Sequence, residues 1–255
     1  IMSKGEWRMR SDGFDAFRFW FGASDYAHDE ISGEGDTGSR FANKEQELRL
    51  EAEQQALQSS LGVLKGALGV QWGHRKTRGQ SFEGDSLLEP AETDRVAGFA
   101  YEELTLSPGL KLLGAGRIEY AGIAGQGILD FSDPLNLVRV EGERLFTPYA
   151  LSAGLTYEVS PGVISRLTGL YAERAPEAEE LYSQGLHEAT GTFEIGNPNL
   201  DKEKGSTMEA GLSKTSGAFR IDAAIYYTRY DGFITKTLTG VQCGDTIDTC
   251  GIEDE

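Results

Sequence analysis

The chain has few of the residues on which most recognisable chemistry depends. Three histidines and two cysteines are scattered through 255 residues, and no compact metal-ligand spacing joins them. The signatures G-x-S-x-G, H-E-x-x-H, a phosphate-cradling glycine loop and C-x-x-C are all missing, so no catalytic motif is present and an enzyme is not expected. Bases are outnumbered: 24 lysines and arginines face 41 acids, for a net charge of −17. Such a chain repels phosphate backbones, which excludes general nucleic-acid binding. No stretch of about 18 consecutive apolar residues exists, so a transmembrane helix is excluded. No charged segment followed by an apolar one opens the chain, so these residues hold no signal peptide. Both ends read as cuts through a longer polypeptide.

Glycine is plentiful at 33 residues, and hydrophobic residues make 39 %, too many for a disordered acidic tail. These averages describe a soluble acidic protein. The order of the residues says otherwise. Helical periodicity is scarce and period-two alternation is widespread, which argues for strands. In residues 145–158, Leu145, Thr147, Tyr149, Leu151, Ala153, Leu155 and Tyr157 share one face. Phe219, Ile221, Ala223, Ile225 and Tyr227 do the same in residues 218–230, and Phe17, Phe19 and Phe21 in residues 15–27. About ten strands follow, over 5–11, 14–29, 40–57, 61–74, 95–106, 110–121, 145–159, 163–173, 206–214 and 218–238. At roughly 10 to 16 residues they exceed the usual 5 or 6, and they suit an oblique bilayer crossing.

Short and long connections alternate. Tight turns are expected at Asp12-Gly13, 58–60, 107–109, 160–162 and 215–217. Long polar loops are expected over 31–40, 76–94, 122–144 and 174–205. Outer-membrane barrels carry short periplasmic turns and longer external loops in this way. Tyr149 and Tyr157, Phe219 and Tyr227, and Leu112 and Tyr120 lie eight residues apart. That spacing gives roughly 20 Å of height after tilting by about 40°, close to the apolar band between aromatic girdles. A soluble β-sandwich is the bland alternative, opposed by strand length, loop asymmetry and girdle spacing. The expected fold is therefore all-β, an antiparallel transmembrane β-barrel, with residues 1–255 a single partial barrel domain truncated at both ends.

Residues 174–182 read R-A-P-E-A-E-E-L-Y, residues 191–200 read G-T-F-E-I-G-N-P-N-L, and D-K-E-K at 201–204 leads to M-E-A-G-L at 208–212. This run resembles the barrel domain of TonB-dependent outer-membrane receptors. H-E-A-T-G-T-F-E at 187–194, and Y-A-H-D-E at 26–30 with F-A-N-K at 41–44, resemble the members associated with zinc uptake. The resemblance implies a barrel of about 22 strands, only about ten of them present here, filled by an N-terminal plug that this chain lacks. It implies a bacterial outer-membrane location, surrounding outer-membrane lipid, and transport driven through the TonB energy-transducing complex. Zinc or a metal chelate would be cargo, not cofactor. Siderophore, haem or cobalamin uptake, a passive porin-like channel, and a barrel hydrolase with a spatially assembled Ser-His pair are the alternatives.

His28, Asp29, Glu30, His187 and Glu188 are the candidate metal-contacting residues, since zinc takes imidazole nitrogen and carboxylate oxygen. Ordinary solvated loop chemistry is the alternative. His28 shares parity with Trp20 and is expected to face the lumen; His74 shares parity with Val70 and Trp72 and is expected to face lipid. Cys243 and Cys250 enclose six residues of a polar external loop, which suits a loop-closing disulfide in an oxidising compartment, or else a thiolate metal site. Glu47, Arg49, Glu51, Glu53, Glu102, Arg117, Glu119, Glu158, Arg220 and Asp222 are expected to line the lumen, solvating it and meeting the plug, or else forming an acidic route for cations.

Overall fold

Strand pairing across the whole chain decides the architecture. The computed structural model describes residues 1–9, 13–31, 35–130 and 138–252. The strands are β1 (Met2–Arg8), β2 (Phe14–Ile31), β3 (Thr37–Gln54), β4 (Leu57–Ser59), β5 (Gly62–Ser81), β6 (Leu88–Ser107), β7 (Leu110–Asp130), β8 (Val138–Phe146), β9 (Tyr149–Ser160) and β10 (Val163–Arg174). The helix α1 (Ala178–Tyr182) and the hairpin β11 (Gln184–His187) and β12 (Thr192–Ile195) follow. Then come β13 (Glu203–Lys214), β14 (Ile221–Asp231), β15 (Val241–Gln242) and β16 (Gly251–Ile252), the last two flanking a 3-10 turn at Ile247–Thr249.

One antiparallel sheet runs β1-β2-β3-β5-β6-β7-β9-β10-β13-β14, with β4 paired to β5 and β8 to β7. It does not close on itself. The register sorts the side chains into two faces. Phe19, Leu50, Val70, Gly98 and Ile118 stand in one row, and Trp20, Arg49, Gln71, Ala97 and Glu119 in the next. The first face carries large apolar side chains left open: Val70 is 53 % exposed, Ile118 58 %, Leu151 57 % and Ile225 74 %. A face this apolar across ten strands is far more than a soluble monomer exposes and matches a lipid-facing wall. The other face is polar.

Each of the ten expected strands is present, with shifted ends. Residues 10–12, including Asp12 of the expected first turn, lie outside the described residues, as do 32–34 of the first expected loop, 131–137 of the third, and 253–255. Two expected loops are wrong. Residues 76–94 and 122–144 are mostly strand, because β5 and β7 run on while β6 and β8 begin early. The inner side of this extension is buried, with Leu88, Ala91, Ala121 and Ile123 at 3 % exposure or less, so the ladder gains a dry partner and keeps pairing. The expected strand 145–159 is broken by Thr147 and Pro148. Proline cannot donate to a ladder, yet the Pro148 carbonyl still accepts the Glu119 amide at 2.9 Å. The expected strand 218–238 is confined to Ile221–Asp231.

The inward set also needs correction. Glu102 stands in register with Gly66 and Gly114, the row of the apolar face, and accepts a hydrogen bond from Gln54 there. At this end β6 turns Phe99, which lies under Arg49, to the polar face, so alternation sends Glu102 to the other side. Arg220 precedes β14, so strand alternation does not place it. The other charged members lie on the polar face, several of them in ion pairs: Glu51 and Glu53 with Arg18, which also holds Glu6, Glu51 with Arg49 as well, Arg117 with Glu119, and Asp222 with Arg166.

A folded strap across the lumen mouth

Between β10 and β13 the chain folds back over the inner face of the sheet. Arg174 starts it with a two-pronged contact to Glu180, at 2.8 and 3.1 Å. A capping box then starts α1: Glu177 accepts from the Glu180 amide while Glu180 accepts from the Glu177 amide. The Glu177 carboxylate also reaches across to the wall, to Arg75 at 2.7 Å and Arg95 at 2.8 Å. Burial pushes this carboxyl up, but Arg95 and then Arg75 outweigh it, so its pKa lies below the ordinary carboxylate value. Ala178, Leu181 and Tyr182 are buried against Leu88, Ala91, Ala121, Ile123 and Phe146.

Tyr182 needs a seat without side chains. A Cβ on Gly125 would lie 2.6 Å from its ring, and one on Gly127 3.0 Å. Its hydroxyl donates to the Ile123 carbonyl at 3.1 Å. The G-N-P turn is then drawn down by Arg144, which donates to the Pro198 and Leu200 carbonyls. These contacts explain the R-A-P-x-x-E-E-L-Y and G-N-P-x-L motifs as anchors of one segment.

The hairpin β11–β12 carries the strap to the opposite side, where its tip meets β2 and β3. His187 Nε2 lies 3.4 Å from Glu30 and Nδ1 lies 3.0 Å from Glu194. The other Glu30 oxygen accepts the Ala189 amide at 3.2 Å. Glu194 also pairs with Lys236 at 2.5 Å. Burial raises the Glu194 carboxyl, and Lys236 followed by His187 draws it below the ordinary value. His28 stacks on Phe41 with ring centres 5.1 Å apart, and Phe41 touches His187 at 5.8 Å. The Glu188 carboxyl packs over Gly38, where a Cβ would stand 3.1 Å away.

Four of the five candidate residues, His28, Glu30, His187 and Glu188, therefore gather at one place. Asp29 does not: it points to the outer face and is held by Arg40 at 2.6 and 2.8 Å. His74 is on the outer face too, stacked on Trp72 and 2.7 Å from Asp94. Among the described residues no group of three or more His, Cys, Asp or Glu is set to hold a metal ion. Alternation does not single out Glu194, on the short strand β12 of the strap hairpin, or Lys236, past the end of β14, or the pair Arg75 and Arg95. Arg75 sits beyond the expected end of its strand and Arg95 opens the next expected one.

Cys243 and Cys250 are joined as a disulfide. Cys250 and Ile247 pack on Ile128, with Phe193 and Ile195 of the strap alongside. Asp85 ties this loop to the one between β5 and β6, accepting the Ile247 amide at 2.8 Å and donating its own amide to Asp245 at 2.9 Å.

The family model "TonB dependent receptor-like, beta-barrel" matches residues 3–249. The chain belongs to this family. Its members are transporters of the Gram-negative outer membrane, not enzymes, and this TonB-dependent receptor barrel shares that location. Solved structures agree on the fold. The copper transporter OprC superposes with a TM-score of 0.68 at 14 % identity over 88 % of this chain and 36 % of that one. A double mutant of the Serratia marcescens hemophore receptor HasR, in complex with its hemophore HasA and heme, gives 0.61 at 13 % over 91 % and 45 %. The ferric-catecholate import receptor Fiu from E. coli K12 gives 0.58 at 12 % over 96 % and 41 %. The barrel chain thus spans less than half the length of each.

Proposed function

We propose that this barrel chain is the wall and roof of a receptor that takes up a scarce metal, as the ion or as a chelate, driven through TonB and gated by a plug. The observation that carries the reading is that His187 stands between Glu30 and Glu194 at the strap tip, with His28 and Glu188 nearby; among the described residues no three of these are set around one ion in this arrangement, so binding draws them together. Imidazole and carboxylate are the ligands zinc selects. A cation entering there competes with Lys236 for Glu194. Metal-bearing cargoes in the names of the similar structures, copper, heme and ferric catecholate, support the class and leave zinc as one member of it.

Calorimetry on the full-length receptor tests this. Zinc is expected to bind, and His28→Ala and His187→Ala are each expected to weaken it by about tenfold or more. Unchanged zinc affinity in both variants removes the site. Absence of zinc binding alongside tight binding of a haem or ferric chelate moves the cargo to the chelate.

A further inference from the structure

A buried hydroxyl left without a hydrogen-bond partner is costly, and native structures keep few of them. Ser39 is 2 % exposed, and its Oγ has no partner among the described residues. Its place in the sheet ties it to the strap tip. β2 and β3 slip register between Glu30 and Ile31, which pair with Ser39 and Thr37. Gly38 is the extra residue of this bulge, and the Glu188 carboxyl packs over it.

Ser39 therefore stands directly opposite Glu30, on the inward face that His28 and Phe41 share two residues further along. Directly opposed residues hold their Cβ atoms about 4.5 to 5.5 Å apart. Both oxygens of Glu30 are turned to the strap: one lies 3.4 Å from His187 Nε2 and the other accepts the Ala189 amide at 3.2 Å. A hydroxyl with its donor and its acceptor capacity both unused thus lies one cross-strand step from the imidazole and carboxylates of the tip. Size decides what can use it. A porphyrin or a catecholate chelate is too bulky to reach so buried an oxygen. A single ion with a few waters reaches it once the tip shifts.

We propose that the cargo meets this site as a hydrated divalent cation, and that Ser39 holds one of its waters. Glu30, His187 and Glu194, drawn together, supply two carboxylates and an imidazole. Three such ligands leave a fourth position to water. The Ser39 hydroxyl accepts a hydrogen bond from that water and donates one to Glu30, so it orients both. An outer contact of this kind is worth about tenfold to a hundredfold in affinity. Ser39 is thus a positioning residue that favours the ion over the chelate. The inference rests on the metal reading above and deepens it.

Calorimetry and thermal melting on the full-length receptor test it, with zinc chloride as the probe and haem as the bulky comparison. Ser39→Ala is expected to lose about tenfold in zinc affinity. Its melting is expected to stay unchanged or to rise, because the hydroxyl it removes is unpaired. Ser81 neighbours Ser39 on β5, but its Oγ accepts the Glu83 amide at 3.2 Å. Ser81→Ala is therefore expected to leave zinc affinity unchanged, and an equal loss there overturns the proposal. Unchanged zinc affinity in Ser39→Ala, while His187→Ala weakens it, overturns this inference and leaves the metal reading standing. No zinc binding by the unaltered receptor overturns both. Zinc affinity lost together with lowered melting marks Ser39 as structural and overturns the inference, as does tight haem binding that Ser39→Ala weakens equally.

Discussion

The two ends of the strap are held by different physics. The root, residues 174–182, is dry: Ala178 and Leu181 have no exposure and Tyr182 fills a glycine seat. The tip, residues 187–194, is held by ion pairs and a backbone hydrogen bond to Glu30, and its apolar support is limited to ring contacts with Phe41 and to half-buried Phe193 beside Ile128 and Ile247. Dry packing is stiff and is not exchanged for water cheaply, whereas partly exposed ion pairs contribute little and swap partners. The root therefore fixes where the strap crosses the mouth, and the tip is the part that can trade a protein partner for a ligand.

The sharpest way to break this contrast is at the root. Tyr182→Ala removes a buried aromatic ring from over Gly125 and Gly127, and is expected to cost the docked strap about 3 kcal/mol or more. Hydrogen exchange on the full-length receptor is expected to show residues 178–200 opening together. Protection of the tip that survives Tyr182→Ala would show that the ion pairs suffice and invert the contrast. Glu177→Gln is expected to be the next largest. It leaves Arg75 and Arg95 facing a neutral amide, and because both are partly exposed the cost falls to about 1 to 2 kcal/mol, below that of a fully buried pair. The expected sign is faster exchange at residues 177–182 with the tip still closed.

The sequence made the wall readable because alternation is a local property. Phe17, Phe19 and Phe21, or Leu151, Leu155 and Tyr157, declare their face without reference to any other strand. The extension above the membrane was hidden for a physical reason. Its inner side holds Ala91, Gly125 and Gly127, small residues that read as loop until Leu181 and Tyr182 are laid on them. The candidate site was half legible. Residue types and a family-like motif singled out His28, Glu30, His187 and Glu188, but nothing local tells that Asp29 turns to Arg40 or that Lys236 returns to Glu194. Those pairings depend on chain segments 11 and 42 residues apart.

Acid separates the two ends most finely. Glu177 and Glu194 both have pKa values below the ordinary 4.5, so each carboxylate stabilises the folded strap fully above that value. Each contribution is lost as pH falls below 4.5 through the lower folded value. At the root the apolar contacts of Leu181 and Tyr182 do not titrate and remain. At the tip Glu194 holds both Lys236 and His187, and its protonation removes both at once. The tip is expected to open first, with exchange at residues 187–194 rising below pH 4.5 while residues 178–182 stay protected.

His187→Ala at neutral pH is expected to imitate that state mildly, costing under about 1 kcal/mol because the pairs it breaks are partly exposed. The variant should lower tip protection without moving the root or the barrel's melting. If His187→Ala instead frees the root as well, the strap is one cooperative unit, and the tip cannot exchange partners independently as the metal reading requires.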